Sequence, residues 1–207
     1  MSYKGKKRSK LYSPEEGYDI FAPIYDESFK LLNSFEKGKL FSFFDDLEGK
    51  KVLDIGCGTG RILGELRLFG ADITAIDISE EMLERVRIKY PDVKTAVADV
   101  EKLPFEDESF DVAVATFLVV HLKDPKIAFE EVYRVLKSGG EFVLTNINQR
   151  KAPKLKTPKG EIVIQSYYHR PEDVVRKLEE CLFDIEKNEF VEEDGVWINQ
   201  IIKARKQ

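Results

Sequence analysis

Gly56, Gly58 and Gly60 alternate directly after the apolar run Val52-Leu53-Asp54-Ile55, and a helix-like pattern opens at Arg61. A strand, a tight turn and a helix N-terminus leave backbone N–H groups free to hold an anionic or polar ligand. A dinucleotide fingerprint asks for a further glycine at position 61, where helix and strand meet beneath a pyrophosphate. Arginine stands there instead, so the turn suits a ligand without a pyrophosphate. Asp77 ends the next predicted strand, where a carboxylate accepts both hydroxyls of a ribose. It points to adenosine, and alone it does not separate NAD from other adenosine ligands. Cys57, enclosed by the glycines, reads as a small apolar filler rather than a nucleophile. His121 follows Phe117-Leu118-Val119-Val120 at the carboxyl edge of the fourth predicted core strand. It suits either a general base or substrate contact, or a packing histidine at a helix start.

The elements that must position these residues alternate in type. Core strands are predicted over 51–55, 71–77, 93–98, 110–117 and 141–146, with helices over 61–69, 79–90 and 125–136 between them. Gly70 stops the first helix, Ser79 caps the second with Glu80 and Glu81 in its first turn, and Asp124-Pro125 opens the third. Such alternation with short turns means a doubly wound α/β fold, a mostly parallel sheet with helices on both faces. Residues 11–48 are helical and aromatic-rich, and Pro23 breaks them into two helices or a bent lid. Residues 147–160 form a basic, proline-punctuated loop, and 161–168 alternate as a short strand. After a helix opened by Pro171, strands 183–191 and 196–204 join through Asp194-Gly195, a hairpin signal.

The 207 residues suffice for one domain with a real core: tail 1–10, cap 11–48, core 49–146, and insertion with terminal strands 147–207. The net charge of −5 argues against a generic nucleic-acid binder. Residues 1–10 are nonetheless a local +5, from Lys4, Lys6, Lys7, Arg8 and Lys10, either a solvated tail or an arm for RNA or an anionic partner. Two cysteines, Cys57 and Cys181, make neither a disulfide framework nor a thiolate metal site, so no metal is expected. No secretory leader and no apolar run of membrane-spanning length is read, and a cytoplasmic location is expected.

Five motifs in order carry a family resemblance: Val52 to Gly60, Asp77, Ala98-Asp99-Val100 with Leu103-Pro104-Phe105, Ser109-Phe110-Asp111, and Leu136-Lys137-Ser138-Gly139-Gly140. Together they resemble class I S-adenosylmethionine (SAM)-dependent methyltransferases, most closely the small-molecule branch with the ubiquinone and menaquinone C-methyltransferases. The resemblance covers about residues 50 to 146. It implies a Rossmann-like seven-stranded sheet of order 3-2-1-4-5-7-6 with strand 7 antiparallel, an N-terminal helical cap, SAM as cofactor and S-adenosylhomocysteine as product. Gly56, Gly58 and Gly60, with Cys57 between them, would border the methionine part, and Asp54 would orient its amino group directly or through water. Asp77 would take the ribose hydroxyls, Ile78 and Met82 would pack on the adenine, and Asp99 with the Val100 N–H would read it. Phe117 would sit beside the methionine group. Tyr18-Asp19 and Tyr25-Asp26 look like the family's cap, where a tyrosine reaches the SAM carboxylate or closes over substrate. Tyr25 and His121 are the catalytic candidates.

Methyl transfer from a sulfonium is an in-line displacement in which the protein mainly aligns the partners. Thr116-Phe117-Leu118-Val119 stands where amino-methylating relatives carry an Asn/Asp-Pro-Pro-aromatic turn, which disfavours that chemistry. Two cysteines are too few for arsenic methylation. The expected acceptor is a small or lipid-like molecule. The alternatives are a non-catalytic SAM-binding partner protein, an RNA or protein methyltransferase using the basic tail, and an NAD-linked oxidoreductase. Arg61 and the Asp99 motif argue against the last.

Overall fold

The computed structural model describes residues 10–207. Seven strands form the main sheet: β2 (Lys51–Ile55), β3 (Asp72–Asp77), β4 (Lys94–Val97), β5 (Phe110–Ala115), β6 (Leu136–Ile147), β9 (Phe183–Glu193) and β10 (Val196–Lys206). Their order is β4-β3-β2-β5-β6-β10-β9. The first five run parallel, and β10 lies antiparallel to both β6 and β9. With core strands counted from β2, this is the expected 3-2-1-4-5-7-6. β2 is apolar enough to be buried on both faces, and a separate apolar cluster covers each face of the sheet.

The helices between the strands follow their local signals. α4 (Glu80–Lys89) is capped by Ser79, whose hydroxyl accepts from the Met82 N–H. α5 (Pro125–Val135) is capped by Asp124, which accepts from the Lys126 N–H. α6 (Pro171–Glu180) leads into β9. α3 (Leu63–Leu68) starts two residues later than predicted. Residues 58–62 stay in the turn, where the Gly60 N–H bonds back to Cys57 and the Leu63 N–H to Gly60. β6 likewise begins earlier than the predicted 141, directly after α5. Its pairing with β5 skips from Leu136 to Glu141, so the Gly139-Gly140 turn sits inside an irregular strand start.

The cap has two helices with Pro23 between them, as expected. α1 (Pro14–Phe21) opens on a Ser13–Glu16 capping box, and α2 (Phe29–Glu36) follows. A 3-10 stretch, Ala22–Ser28, joins them with Pro23 in its first turn, and a second, Leu40–Phe43, follows. The predicted 147–160 loop is a correction: β7 (Lys154–Thr157) and β8 (Gly160–Ile164) form a hairpin there. β1 (Lys10–Tyr12) joins β8 in parallel, making a second, three-stranded sheet. Gly17 of α1 packs so closely on this sheet that a Cβ would lie 2.6 Å from Ile164. The basic tail expected at 1–10 lies, except for Lys10, outside the described residues.

Candidate active site

The glycine turn at the end of β2 sits at the carboxyl edge of the parallel strands, where open α/β sheets place ligands. Gly56, Gly58 and Gly60 all have positive φ, at 66°, 56° and 85°. A Cβ on Gly58 would lie 3.2 Å from the Tyr25 ring of the cap, and one on Gly56 3.0 Å from Leu118. Gly60 is required for packing, since a Cβ would lie 2.8 Å from Leu63 and 3.0 Å from Tyr90.

Asp77 closes the floor. One carboxylate oxygen accepts from the Gly58 N–H at 2.8 Å and the other from the Ser79 N–H at 2.9 Å. Burial pushes its carboxyl up to about 6 against the pull of those bonds. Asp54 is 1% exposed, and neither of its side-chain oxygens has a hydrogen-bond partner. Burial lifts it to about 7, with Arg61 opposing and Asp77 adding to the rise. A buried carboxylate left without donors is costly, and a cationic or N–H-rich ligand removes that cost.

Gly56, Gly58 and Asp77 border a cavity of about 250 Å³. Its wall takes in Gly56, Gly58, Asp77, Ile78, Asp99, Val100 and Phe117. Tyr25 and His121 reach it from the cap and from the segment after β5. Asp54, Cys57, Gly60 and Met82 are not on the wall: all but Gly60 are strongly buried side chains, and Met82 is fully buried in α4. The Cys57 thiol donates to the Gly58 carbonyl, and burial pushes it well up, which suits the filler role. Asp99 Oδ1 accepts from the Glu101 N–H at 2.9 Å.

Phe117 adopts φ 58°, unusual for a residue with a Cβ, while its N–H donates to Thr145 Oγ1 at 2.8 Å. Its ring lies between Phe35 of α2 and the Arg61 guanidinium, 6.2 and 5.1 Å away. Arg61, which in the sequence only marked a missing glycine, makes two 2.7 Å bonds to Glu36 and one of 2.8 Å to Asn33. The pair is almost fully buried, 7% and 5% exposed. The cap is held to the site at further points: Ser79 Oγ donates to Asp19, Thr59 Oγ1 to Asp26, and Lys89 pairs with Asp26.

A second cavity, of about 240 Å³, adjoins the first behind a shared wall of Tyr18, Tyr25, Phe117 and His121. It opens between α1–α2 of the cap and the segment from Ile147 to Ile164. Leu31, Leu32 and Phe35 line one side, with Ile147, Leu155 and Ile164 opposite. Tyr18 and His121 touch across the shared wall: Tyr18 Oη lies 2.6 Å from His121 Nε2, and His121 Nδ1 lies 2.9 Å from the Gln165 carbonyl oxygen. Sequence reasoning did not find this pair, whose members are 103 residues apart, nor the Arg61–Glu36 clamp.

The doubly wound sheet, glycine turn and ribose-type carboxylate define a class: an α/β domain that binds a nucleoside at the carboxyl edge of its strands. Residues 53–144 match the family described as "Methyltransferase domain". The chain is 32% identical over 139 residues to a malonyl-[acyl-carrier protein] O-methyltransferase of Salmonella typhimurium, covering 67% of this chain and 52% of that one. It is 31% identical over 140 residues to a demethylmenaquinone methyltransferase of Paenarthrobacter aurescens, covering 66% and 55%. It therefore spans about half the length of these curated relatives. A crystal structure of a SAM-dependent methyltransferase from Mesorhizobium loti shares the fold, with a TM-score of 0.72 at 22% identity over 84% of this chain and all of that one. Residues 53–144 thus carry a methyltransferase domain, and the chain is similar in sequence to demethylmenaquinone methyltransferases and in fold to SAM-dependent methyltransferases.

The residues fit the cofactor that this family implies. Asp54 is a buried carboxylate lacking donors, as an α-amino group requires. Gly58 is closed to any side chain by its φ and by Tyr25. Asp77 and Asp99 place two acceptor side chains on the cavity wall. Among the described residues, no helix is long and apolar enough to cross a membrane.

Proposed function

We propose that the protein transfers a methyl group from SAM to a small-molecule acceptor held in the second cavity. The observation that carries this reading is the pair of adjoining cavities, one edged by glycines and carboxylates, the other apolar, separated only by four aromatic side chains. When bound, SAM supplies an electrophilic methyl group on a positively charged sulfur.

The chain's own residues do the rest. Asp54 would take the amino group and Asp77 the ribose hydroxyls, with Asp99 and the Val100 N–H at the adenine. Ile78 would pack on its ring. Phe117, fixed by Thr145 and by the Arg61 guanidinium, holds the partition between cofactor and acceptor. Proximity and alignment supply most of the rate in such a displacement, so no acid–base dyad is demanded of the site in advance. The cap is tied down by Asp19, Asp26 and Glu36 and would shield the reacting groups from water. The basic hairpin at 150–159 lies at the rim and is exposed, and no cation from it enters the acceptor cavity. That favours a small molecule over RNA.

Titration calorimetry of the full chain with SAM and S-adenosylhomocysteine tests the reading. Binding of both, weakened at least tenfold in Asp77→Ala, is expected. Absence of binding, or an Asp77→Ala variant that binds as wild type, would overturn it.

A further inference from the structure

The second cavity carries a more specific message, which rests on the methyl-transfer reading. Among the described residues, no carboxylate, lysine or arginine stands on its wall. Apart from Ser28 and Gln149, its polar side chains are Tyr18, Tyr25 and His121, all on the side shared with the cofactor cavity. Ser28 is spent locally, its hydroxyl donating to the Tyr25 carbonyl at 2.5 Å. A charged group brought into such a space finds no counter-ion and loses its hydration, whereas a neutral apolar body gains by leaving water.

The hydrogen bonds at the shared wall fix the chemistry of its polar end. A carbonyl oxygen only accepts, so His121 Nδ1 carries a proton and donates it to Gln165. Nε2 of the neutral ring is then an acceptor, and the Tyr18 hydroxyl donates to it. With its single proton committed to His121, Tyr18 Oη offers only lone pairs to a ligand. The site is therefore built to receive a donor. Burial holds His121 below its ordinary value, with the Gln165 carbonyl opposing, and holds the Tyr18 hydroxyl protonated. The groups facing this pair are Tyr25, whose ring packs edge-on to Tyr18 at 6.0 Å, and Asp77, whose charge acts on Tyr18 from the floor. Neither presents a competing donor to the Tyr18 oxygen in the hydrogen bonds of the structure.

We propose that the acceptor is a neutral, largely apolar molecule bearing a hydroxyl group, which donates to Tyr18 Oη, and that Tyr18 and His121 carry its proton away. The atoms balance as follows. The acceptor oxygen forms a bond to the methyl carbon as the carbon–sulfur bond of SAM breaks. The acceptor's proton moves to Tyr18 Oη while the Tyr18 proton moves to His121 Nε2. The products are a methyl ether, S-adenosylhomocysteine and an imidazolium held by the Gln165 carbonyl, which returns its proton to water as the product leaves. Nothing is oxidised or reduced. Tyr18 is the residue that touches the acceptor, and His121 acts through it.

The probes are 1-naphthol, 1-methoxynaphthalene and 1-naphthoate, titrated calorimetrically into the full chain saturated with S-adenosylhomocysteine at pH 7.5. The naphthol should bind about fivefold tighter than its methyl ether, the worth of one buried hydrogen bond, and the naphthoate at least tenfold weaker. In Tyr18→Phe, which keeps the ring, the preference for naphthol over its ether should vanish. Nitrogen NMR gives a second readout: with two histidines in the chain, His121→Gln assigns the spectrum. His121 should show a protonated Nδ1 and a bare Nε2, and naphthol should move the Nε2 signal in wild type but not in Tyr18→Phe. Failure of naphthol to bind, equal binding of alcohol and ether, tight naphthoate binding or the opposite tautomer would each overturn the proposal. Failure of the methyl-transfer reading looks different: S-adenosylhomocysteine would not bind, while the naphthol preference would persist in the apo protein.

Discussion

Replacing Asp54 with asparagine keeps the shape of the side chain and removes a charge that the empty fold does not compensate. Burial lifts this carboxyl from its ordinary 3.8 to about 7, and both oxygens lack donors. At 1.4 kcal/mol per pH unit, this corresponds to about 4 kcal/mol of folding stability. The folded state binds the proton more tightly than the unfolded one. The stability from this group is therefore fully present below pH 3.8 and is lost as pH rises through about 7. Comparing the two proteins by urea unfolding from pH 4 to pH 8 isolates the effect from other titrating groups. Asp54→Asn should match wild type near pH 4 and exceed it by about 4 kcal/mol at pH 8. With ligand the ranking should invert. A charged amino group bonded to this carboxylate is worth roughly 1.5–3 kcal/mol, so the variant should bind S-adenosylhomocysteine about ten- to a hundredfold more weakly at pH 8. A stability difference that stays flat with pH, or unchanged ligand affinity, would refute the assignment of Asp54 to the amino group.

Two other substitutions probe the cradle and its clamp. Gly58→Ala places a Cβ at φ 56° and 3.2 Å from the Tyr25 ring, so thermal unfolding should register a loss of about 1–2 kcal/mol from backbone strain alone. Calorimetry should show weaker S-adenosylhomocysteine binding, and Tyr25→Leu in the same chain should relieve only the steric part; a full rescue would point to crowding without strain. Glu36→Gln leaves the Arg61 guanidinium buried without its partner and should cost about 3–5 kcal/mol in urea unfolding, most of it recovered by Glu36→Leu with Arg61→Met. A loss under about 1 kcal/mol would mean that Arg61 finds another partner or reaches water.

The parts of this molecule that were legible in its sequence are those coded by neighbours. Gly56 to Gly60 need only one another and the preceding strand to declare a turn. Ser79 and Asp124-Pro125 declare helix starts within three residues, and Asp194-Gly195 a hairpin within two. The parts that were not legible depend on partners far along the chain. Lys10–Tyr12 is too short to read as a strand until it lies beside Ile162–Ile164. Lys154–Thr157 reads as a solvated loop because its lysines face water, while Leu155 between them turns into the cavity. Arg61 looks like a mere departure from a glycine pattern until Glu36, 25 residues earlier, arrives against it.

That contrast follows the division of labour in the site. The cofactor cavity is built by the parallel core, whose turns are local and whose chemistry is shared by any chain that holds the same nucleoside. The second cavity is built by three segments with no local signature in common: the cap helices, the residues after β5 and the 147–165 insertion. Its polar end consists of one residue from each, Tyr18, His121 and the Gln165 carbonyl, held by bonds of 2.6 and 2.9 Å. On the proposed reading, a substitution among these three segments would change which acceptor is admitted while leaving the glycine turn, Asp54 and Asp77 untouched. Acceptor specificity would then drift along one set of residues while donor binding is held by another, and only the shared wall of Tyr18, Tyr25, Phe117 and His121 would have to satisfy both.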